Sequence, residues 1–124
     1  MSVVQISDAE LEVMKVLWEK SPLNANEVCE LICSRSDWAA ATVKTLLGRL
    51  VRKGAVKQMA AEPMFLYKPQ VRRDEYLAQA SSSFLGKFFD GATTSMLSFF
   101  VKNNKLSTEE MAQLRKILEE AENS

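Results

Sequence analysis

Apolar residues recur along this chain at spacings of three and four, which predicts helices through most of its length. Leu11, Met14, Leu17 and Trp18 mark the first helix. Ser7 is its predicted N-cap, and Asp8 and Glu10 put negative charge in the first turn, where the helix dipole favours it. Ser21-Pro22 ends this helix. Asn24 with Glu27 has capping-box spacing and opens a second helix carrying Val28, Leu31 and Ile32. A third follows Asp37-Trp38, with apolar positions Val43, Leu46, Leu47 and Leu50, and Gly54 is placed to stop it. Two strand-like runs come next, Ala55 to Met59 and Met64 to Lys68, around a predicted turn at Ala60-Ala61-Glu62-Pro63.

From about Arg72 the pattern returns to helices. Asp74 to Phe89 carries Leu77, Ala80, Phe84 and Phe88 along one side, and Gly91 interrupts it. Ala92 to Asn103 is a second, very apolar helix. Ser107-Thr108-Glu109-Glu110 is a capping box that opens a last helix with Met111, Leu114, Ile117 and Leu118. No internal repeat and no low-complexity segment is present.

Composition narrows the function classes. The 124 residues are 47% hydrophobic and 26% charged, which is a globular composition. Sixteen basic residues balance sixteen acidic ones, so a nucleic-acid partner has to be argued from where the charges sit. Histidine is absent. That removes Ser-His and Cys-His nucleophile pairs and every metal site that needs imidazole. With no Gly-rich phosphate loop either, the chain is not expected to be an enzyme or to carry a cofactor, and Glu109-Glu110 and Glu119-Glu120 read as solvated helix surface. Two cysteines are too few for a disulfide scaffold and suit a reducing cytoplasm. Met1 to Glu10 shows no secretory leader, and no apolar run approaches the ~20 residues of a membrane span, so a cytoplasmic protein without membrane insertion is expected.

Charge position says more than charge total. From Trp38 to Ala61 the chain has Lys44, Arg49, Arg52, Lys53 and Lys57 and no acidic residue. At about 100° per residue, Val43, Leu46, Leu47 and Leu50 share one face of the third helix. Ala41, Lys44, Thr45, Gly48, Arg49 and Arg52 occupy the other. Short side chains let a helix approach base edges, and basic ones further along hold phosphates. Three helices and a two-stranded wing, with the basic helix third, is the order of a winged helix-turn-helix. The expected fold is therefore mainly α: a winged helix-turn-helix DNA-binding domain over 1–71, followed by a helical dimerisation domain over 72–124.

Dimerisation is inferred from surplus apolar residues. Five of the six phenylalanines lie in the last three helices: Phe84, Phe88, Phe89, Phe99 and Phe100. About fifty residues cannot bury these together with Met111, Leu114, Ile117 and Leu118 unaided. A second chain supplies the missing surface, and Phe84, Phe88, Phe99, Phe100, Met111, Leu114, Ile117 and Leu118 are its candidate contacts. A symmetric dimer also presents two reading helices to the two halves of a palindromic operator.

These residues resemble a known family. Ile6-Ser7-Asp8-Ala9-Glu10-Leu11-Glu12-Val13-Met14, Val16-Leu17-Trp18 and Asn26-Glu27-Val28 are similar to the first two helices of the penicillinase-repressor, methicillin-repressor and copper-transport-repressor family. Trp38, Ala41-Thr42-Val43-Lys44-Thr45-Leu46-Leu47, Arg49-Leu50 and Lys53-Gly54 are the strongest stretch. Phe65-Leu66-Tyr67, Phe100-Val101 and Leu106-Ser107 extend the likeness over nearly the whole chain. The resemblance implies a sequence-specific transcriptional repressor that binds a double-stranded DNA operator as a homodimer, with the third helix, about 40–53, in the major groove. It nominates Ala41, Thr42, Lys44 and Thr45 for base edges and Arg49, Arg52 and Lys53 for phosphates, while Tyr67 packs the wing. It also implies an inducing protease or signalling receptor as a partner. The bond aligned with the cleaved Asn-Phe of antibiotic-responsive members is Phe99-Phe100 here, and the paired Cys-x-Cys motifs of copper-responsive members are absent. Ala39-Ala40-Ala41 stands where members often carry Ser-Pro-Lys or Ser-Lys-type residues, so Ala39 has no side-chain oxygen to cap with.

Two readings stay open beside these. A winged helix can serve as a protein-interaction module without DNA binding. Cys29 and Cys33, at i and i+4 on the second helix, are weak candidates for a soft metal or for oxidation; the simpler reading is two small buried residues beside Leu31 and Ile32.

Overall fold

In the computed structural model, which describes residues 4–124, three helices pack together before a β-hairpin: α1 (Asp8–Glu19), α2 (Ala25–Cys33), α3 (Ala40–Lys53), β1 (Val56–Ala61) and β2 (Met64–Pro69). The expectation about a leader includes Met1, Ser2 and Val3, which lie outside the described residues. The expected N-cap at Ser7 forms and closes as a full capping box with Glu10, and the Asn24/Glu27 box forms as well. Ala39, the N-cap of α3, makes no side-chain cap bond, and Gly54, at φ 83°, ends the helix in the left-handed conformation. The apolar stripes converge on one core that contains Val13, Met14, Leu17, Val28, Ile32, Val43, Leu47 and Leu50.

The hairpin differs from its expected form. Strands were expected over Ala55 to Met59 and Met64 to Lys68 with a four-residue turn; β1 instead runs to Ala61, and only Glu62 and Pro63 connect it to β2. Ala60 and Ala61 have no side chain that would bond a turn, and extending the ladder satisfies their backbone groups. Ala55 leaves the strand and enters the core, donating to Leu50 O at 2.9 Å and accepting from Gln70 N at 2.8 Å. Leu23 adds a third, single-residue rung on β2: Tyr67 N donates to Leu23 O at 2.7 Å and Leu23 N to Tyr67 O at 3.1 Å. The break at Ser21-Pro22 thus leads into a sheet contact.

Three further helices follow: α4 (Arg73–Phe89), α5 (Thr93–Lys102) and α6 (Thr108–Glu122). Helices α4 and α5 were expected over Asp74 to Phe89 and Ala92 to Asn103. Ala92 and Asn103 are instead the flanking residues of α5. The Ser107/Glu110 capping box opens α6. Two compact units divide between Gln79 and Ala80. In the first, Trp18 Nε1 donates to Val71 O at 2.9 Å, and its ring lies 5.7 Å from that of Tyr76. In the second, Phe84, Phe88, Phe89, Phe99 and Phe100 form a chain of tilted and edge-on ring contacts 5.1–6.4 Å apart. Helices α4, α5 and α6 contain no buried residue. Among the described residues no helix is long and apolar enough to cross a membrane.

Candidate nucleic-acid interface

Helix α3 divides cleanly. Val43, Leu46, Leu47 and Leu50 are buried, which fixes the rotation of the helix against the core. The same rotation leaves Ala41, Thr42, Lys44, Thr45, Arg49 and Arg52 exposed. All six had been singled out in the sequence, and the fold brings them together on one helix surface. Thr45 Oγ1 donates to Ala41 O at 3.0 Å. With its proton turned back into the helix, Thr45 offers outward an acceptor oxygen and a methyl group.

The ion pairs sort the cations of the first unit. Lys15, Arg35, Lys53, Arg72 and Arg73 each lie within 4.0 Å of a carboxylate. Among the described residues of that unit Lys20 after α1, Lys44, Arg49 and Arg52 on α3, and Lys57 and Lys68 on the hairpin have no such partner. Apart from Lys53, the exposed cations of α3 and the hairpin are therefore available to an outside anion.

Lys57 and Lys68 sit directly opposite each other on β1 and β2, and both are exposed. Like charges in that position repel across a hairpin, and a phosphate near both would relieve the repulsion. Sequence reasoning noted Lys57 in the basic run but nominated neither. A four-residue turn would have paired Lys57 with Leu66, so the pairing is visible only once the turn shrinks to Glu62-Pro63.

Lys53 is placed differently from the other nominated cations. Its Nζ lies 2.5 Å from Glu10 Oε1 and donates to Gln5 O at 2.8 Å. Glu10 is 2% exposed and also serves the α1 capping box, accepting from Ser7 N at 2.8 Å. Burial pushes the Glu10 carboxyl up, but the hydrogen bonds from Lys53 and Ser7 and the Lys53 charge outweigh it and leave the group below its ordinary value. Lys53 thus joins the last turn of α3 to the start of α1, and any phosphate has to compete with a buried carboxylate for it.

The two cysteines also meet α3. Cys33 Sγ donates to Trp38 O at 3.0 Å, and Cys29 Sγ contacts Ala40 O at 3.7 Å. Burial raises the Cys29 thiol above its ordinary value, against the pull of the Lys44 charge. Both thiols act as packing groups and donors to the backbone entering α3. Among the described residues no group of three or more His, Cys, Asp or Glu is gathered to hold a metal ion.

The family model described as penicillinase repressor matches residues 6–120. The chain is 43% identical over 121 residues to a penicillinase repressor of Bacillus licheniformis, covering 98% of this chain and 94% of that protein. It is 34% identical over 114 residues to the methicillin resistance regulatory protein MecI of Staphylococcus aureus, covering 92% of this chain and 93% of that one. Among solved structures, the B. licheniformis BlaI monomeric form in complex with the blaP half-operator matches with a TM-score of 0.54 at 43% identity. That match covers 61% of this chain and 94% of the other. The chain belongs to the penicillinase repressor family of transcriptional repressors.

Proposed function

We propose that this protein is a cytoplasmic, sequence-specific transcriptional repressor that binds a palindromic DNA operator as a homodimer, with α3 in the major groove. The observation that carries the reading is the exposed face of α3: small and hydroxyl side chains at its start, then cations that no carboxylate neutralises. Ala41, Thr42, Lys44 and Thr45 meet base edges in this reading, and Arg49 and Arg52 hold phosphates with Lys57 and Lys68 of the hairpin. The solved complex of a related chain with a half-operator supports it. Exposed apolar residues on α4, α5 and α6 support the homodimer. An inducing protease is a further partner in this reading. Phe99 O accepts from Asn103 N at 3.0 Å and from Asn103 Nδ2 at 2.8 Å, so cleavage at Phe99-Phe100 requires α5 to open first.

The test is fluorescence anisotropy with the duplex upstream of the protein's own gene and a scrambled duplex, at two salt concentrations. Lys44→Ala is expected to cost ~1–3 kcal/mol on the operator and to relax base preference. Arg52→Ala should weaken both duplexes alike and lower the salt slope by about one. Unchanged operator binding by a double variant, Lys44→Ala with Arg52→Ala, would overturn the placement of α3. A partner protein still bound by that variant would favour the protein-interaction module.

Gly48 gives a second test with opposed signs. A Cβ built there meets only the end of the Arg52 side chain, at 3.7 Å, so nothing inside the protein requires glycine at mid-helix. Gly48→Ala is expected to stabilise the fold by about 0.5–1 kcal/mol while weakening operator binding, because the added methyl lies on the contacted face. Thermal melts and anisotropy on the same preparation separate the two. Tighter binding together with a higher melting temperature would remove Gly48 from the interface.

A further inference from the structure

A cleft of about 310 Å³ lies in the first unit between α1 and the turn that joins α2 to α3. Its apolar part is Val16, Ile32 and the half-buried ring of Trp38. The indole N–H of Trp18 is bonded to Val71 O, whereas that of Trp38 has no acceptor among the described residues. Lys15 and Arg35 line the cleft against one carboxylate, Glu12. Lys15 pairs with Glu12 at 3.0 Å and Arg35 with Glu19 at 3.7 Å, all four side chains being largely exposed. Such surface pairs are weak, so either cation exchanges partners at little cost. An apolar floor, an aromatic wall with a free donor and two exchangeable cations are the features of a site for a small organic anion.

The wall of this cleft is also the entry to α3. Ser36 Oγ donates to Ile32 O at 3.0 Å and accepts from Trp38 N at 3.3 Å, while Cys33 Sγ holds Trp38 O. One residue later, Ala39 is the N-cap of α3 and makes no side-chain cap bond. The position of the first turn of α3 therefore depends on how Trp38 is held, because its own cap contributes nothing.

We propose that this cleft binds a small aromatic carboxylate, with the ring against Trp38, Val16 and Ile32 and the carboxylate between Lys15 and Arg35, and that occupancy alters the affinity of α3 for DNA. The second half rests on the repressor reading above. A bound ring fixes Trp38, and the start of α3 moves or stiffens with it. The ligand then acts through differential affinity for two placements of that turn.

The probe is 2-naphthoate, with 2-naphthalenemethanol as its neutral counterpart, titrated into the full ¹⁵N-labelled chain. Saturable shifts are expected at Val16, Ile32, Arg35, Ser36 and the Trp38 indole N–H. The alcohol and the Arg35→Ala variant should each bind about tenfold more weakly, or 1.4 kcal/mol. Operator affinity, measured first without ligand, should change about fivefold or more at saturation. Shifts that do not saturate, or that fall elsewhere, overturn the site. Equal binding of the alcohol overturns the anion. Saturation with operator affinity unchanged overturns the coupling. Failure of the ligand-free protein to bind the operator overturns the repressor reading and leaves the binding arm to stand or fall by itself.

Discussion

Replacing Phe88 and Ile117 by glutamate is expected to leave both units folded and the chain monomeric. The two side chains are 61% and 60% exposed, so neither contributes much to the core of its own chain, and a charge there costs a single protomer little. Across an interface the same substitutions bury an unpaired carboxylate, which a dimer cannot absorb. Phe84, Phe99 and Leu118 are exposed as well, so the apolar surface is shared among α4, α5 and α6. Loss of the dimer separates two linked binding events. Operator affinity should then fall roughly a hundredfold to ten-thousandfold, while half-site binding by the winged helix is retained. Sedimentation velocity and anisotropy on the same variant check both parts. A variant that stays dimeric would put the interface elsewhere in the chain.

Lys53→Met is the second large effect, and here the target is stability. It leaves the Glu10 carboxylate, 2% exposed, without its cation. Removing one partner of a buried pair costs about 3–5 kcal/mol, and the lower end applies because water reaches the Lys53 side chain. The pH dependence should weaken. In the parent the Glu10 carboxyl is lowered in the folded state. Its contribution is therefore fully present above the unfolded value, about 4.3, and is lost as pH falls through the depressed folded value. Without Lys53 the two lowering influences it supplies are gone while burial and the Ser7 bonds remain, so the folded-state carboxyl lies higher than in the parent. On acidification the parent therefore loses more stability than the variant does, and the gap between them narrows as pH falls through the parent's depressed value. Urea unfolding at neutral pH and near that value measures this, with Lys53→Arg as the conservative control. A gap independent of pH would mean that the pair is not what stabilises the fold. In DNA binding the salt slope of Lys53→Met should match the parent, in contrast to Arg52→Ala.

The two predictions rest on different kinds of legibility. The surplus of phenylalanines in the last three helices can be counted along the chain, because burial capacity scales with length whatever the topology. The role of Lys53 cannot be read that way. Glu10 is 43 positions away, and in sequence it is only an acidic residue in the first turn of the first helix. That it is also the buried partner of the last turn of α3 follows from how α1 and α3 cross. The hairpin shows the same limit at shorter range. One shift in the turn, from four residues to two, changes the partner of Lys57 from Leu66 to Lys68 and so changes an unremarkable wing into a cationic one. The Leu23 rung on Tyr67 has no local signal at all, since a single bridging residue carries no periodicity.

The sequence by itself determined the helices, their caps and the two faces of α3, because these depend on spacing and on side chains within a few residues of one another. It also determined that the chain belongs among winged-helix repressors, through motifs spread along nearly its full length. Only the tertiary structure decided which cations are free and which are held, how Trp38 and the turn before α3 form one wall of a cleft, and which lysines face each other on the wing. Those outcomes depend on contacts between elements far apart in the chain. Packing of the core selects them, and periodicity does not encode them.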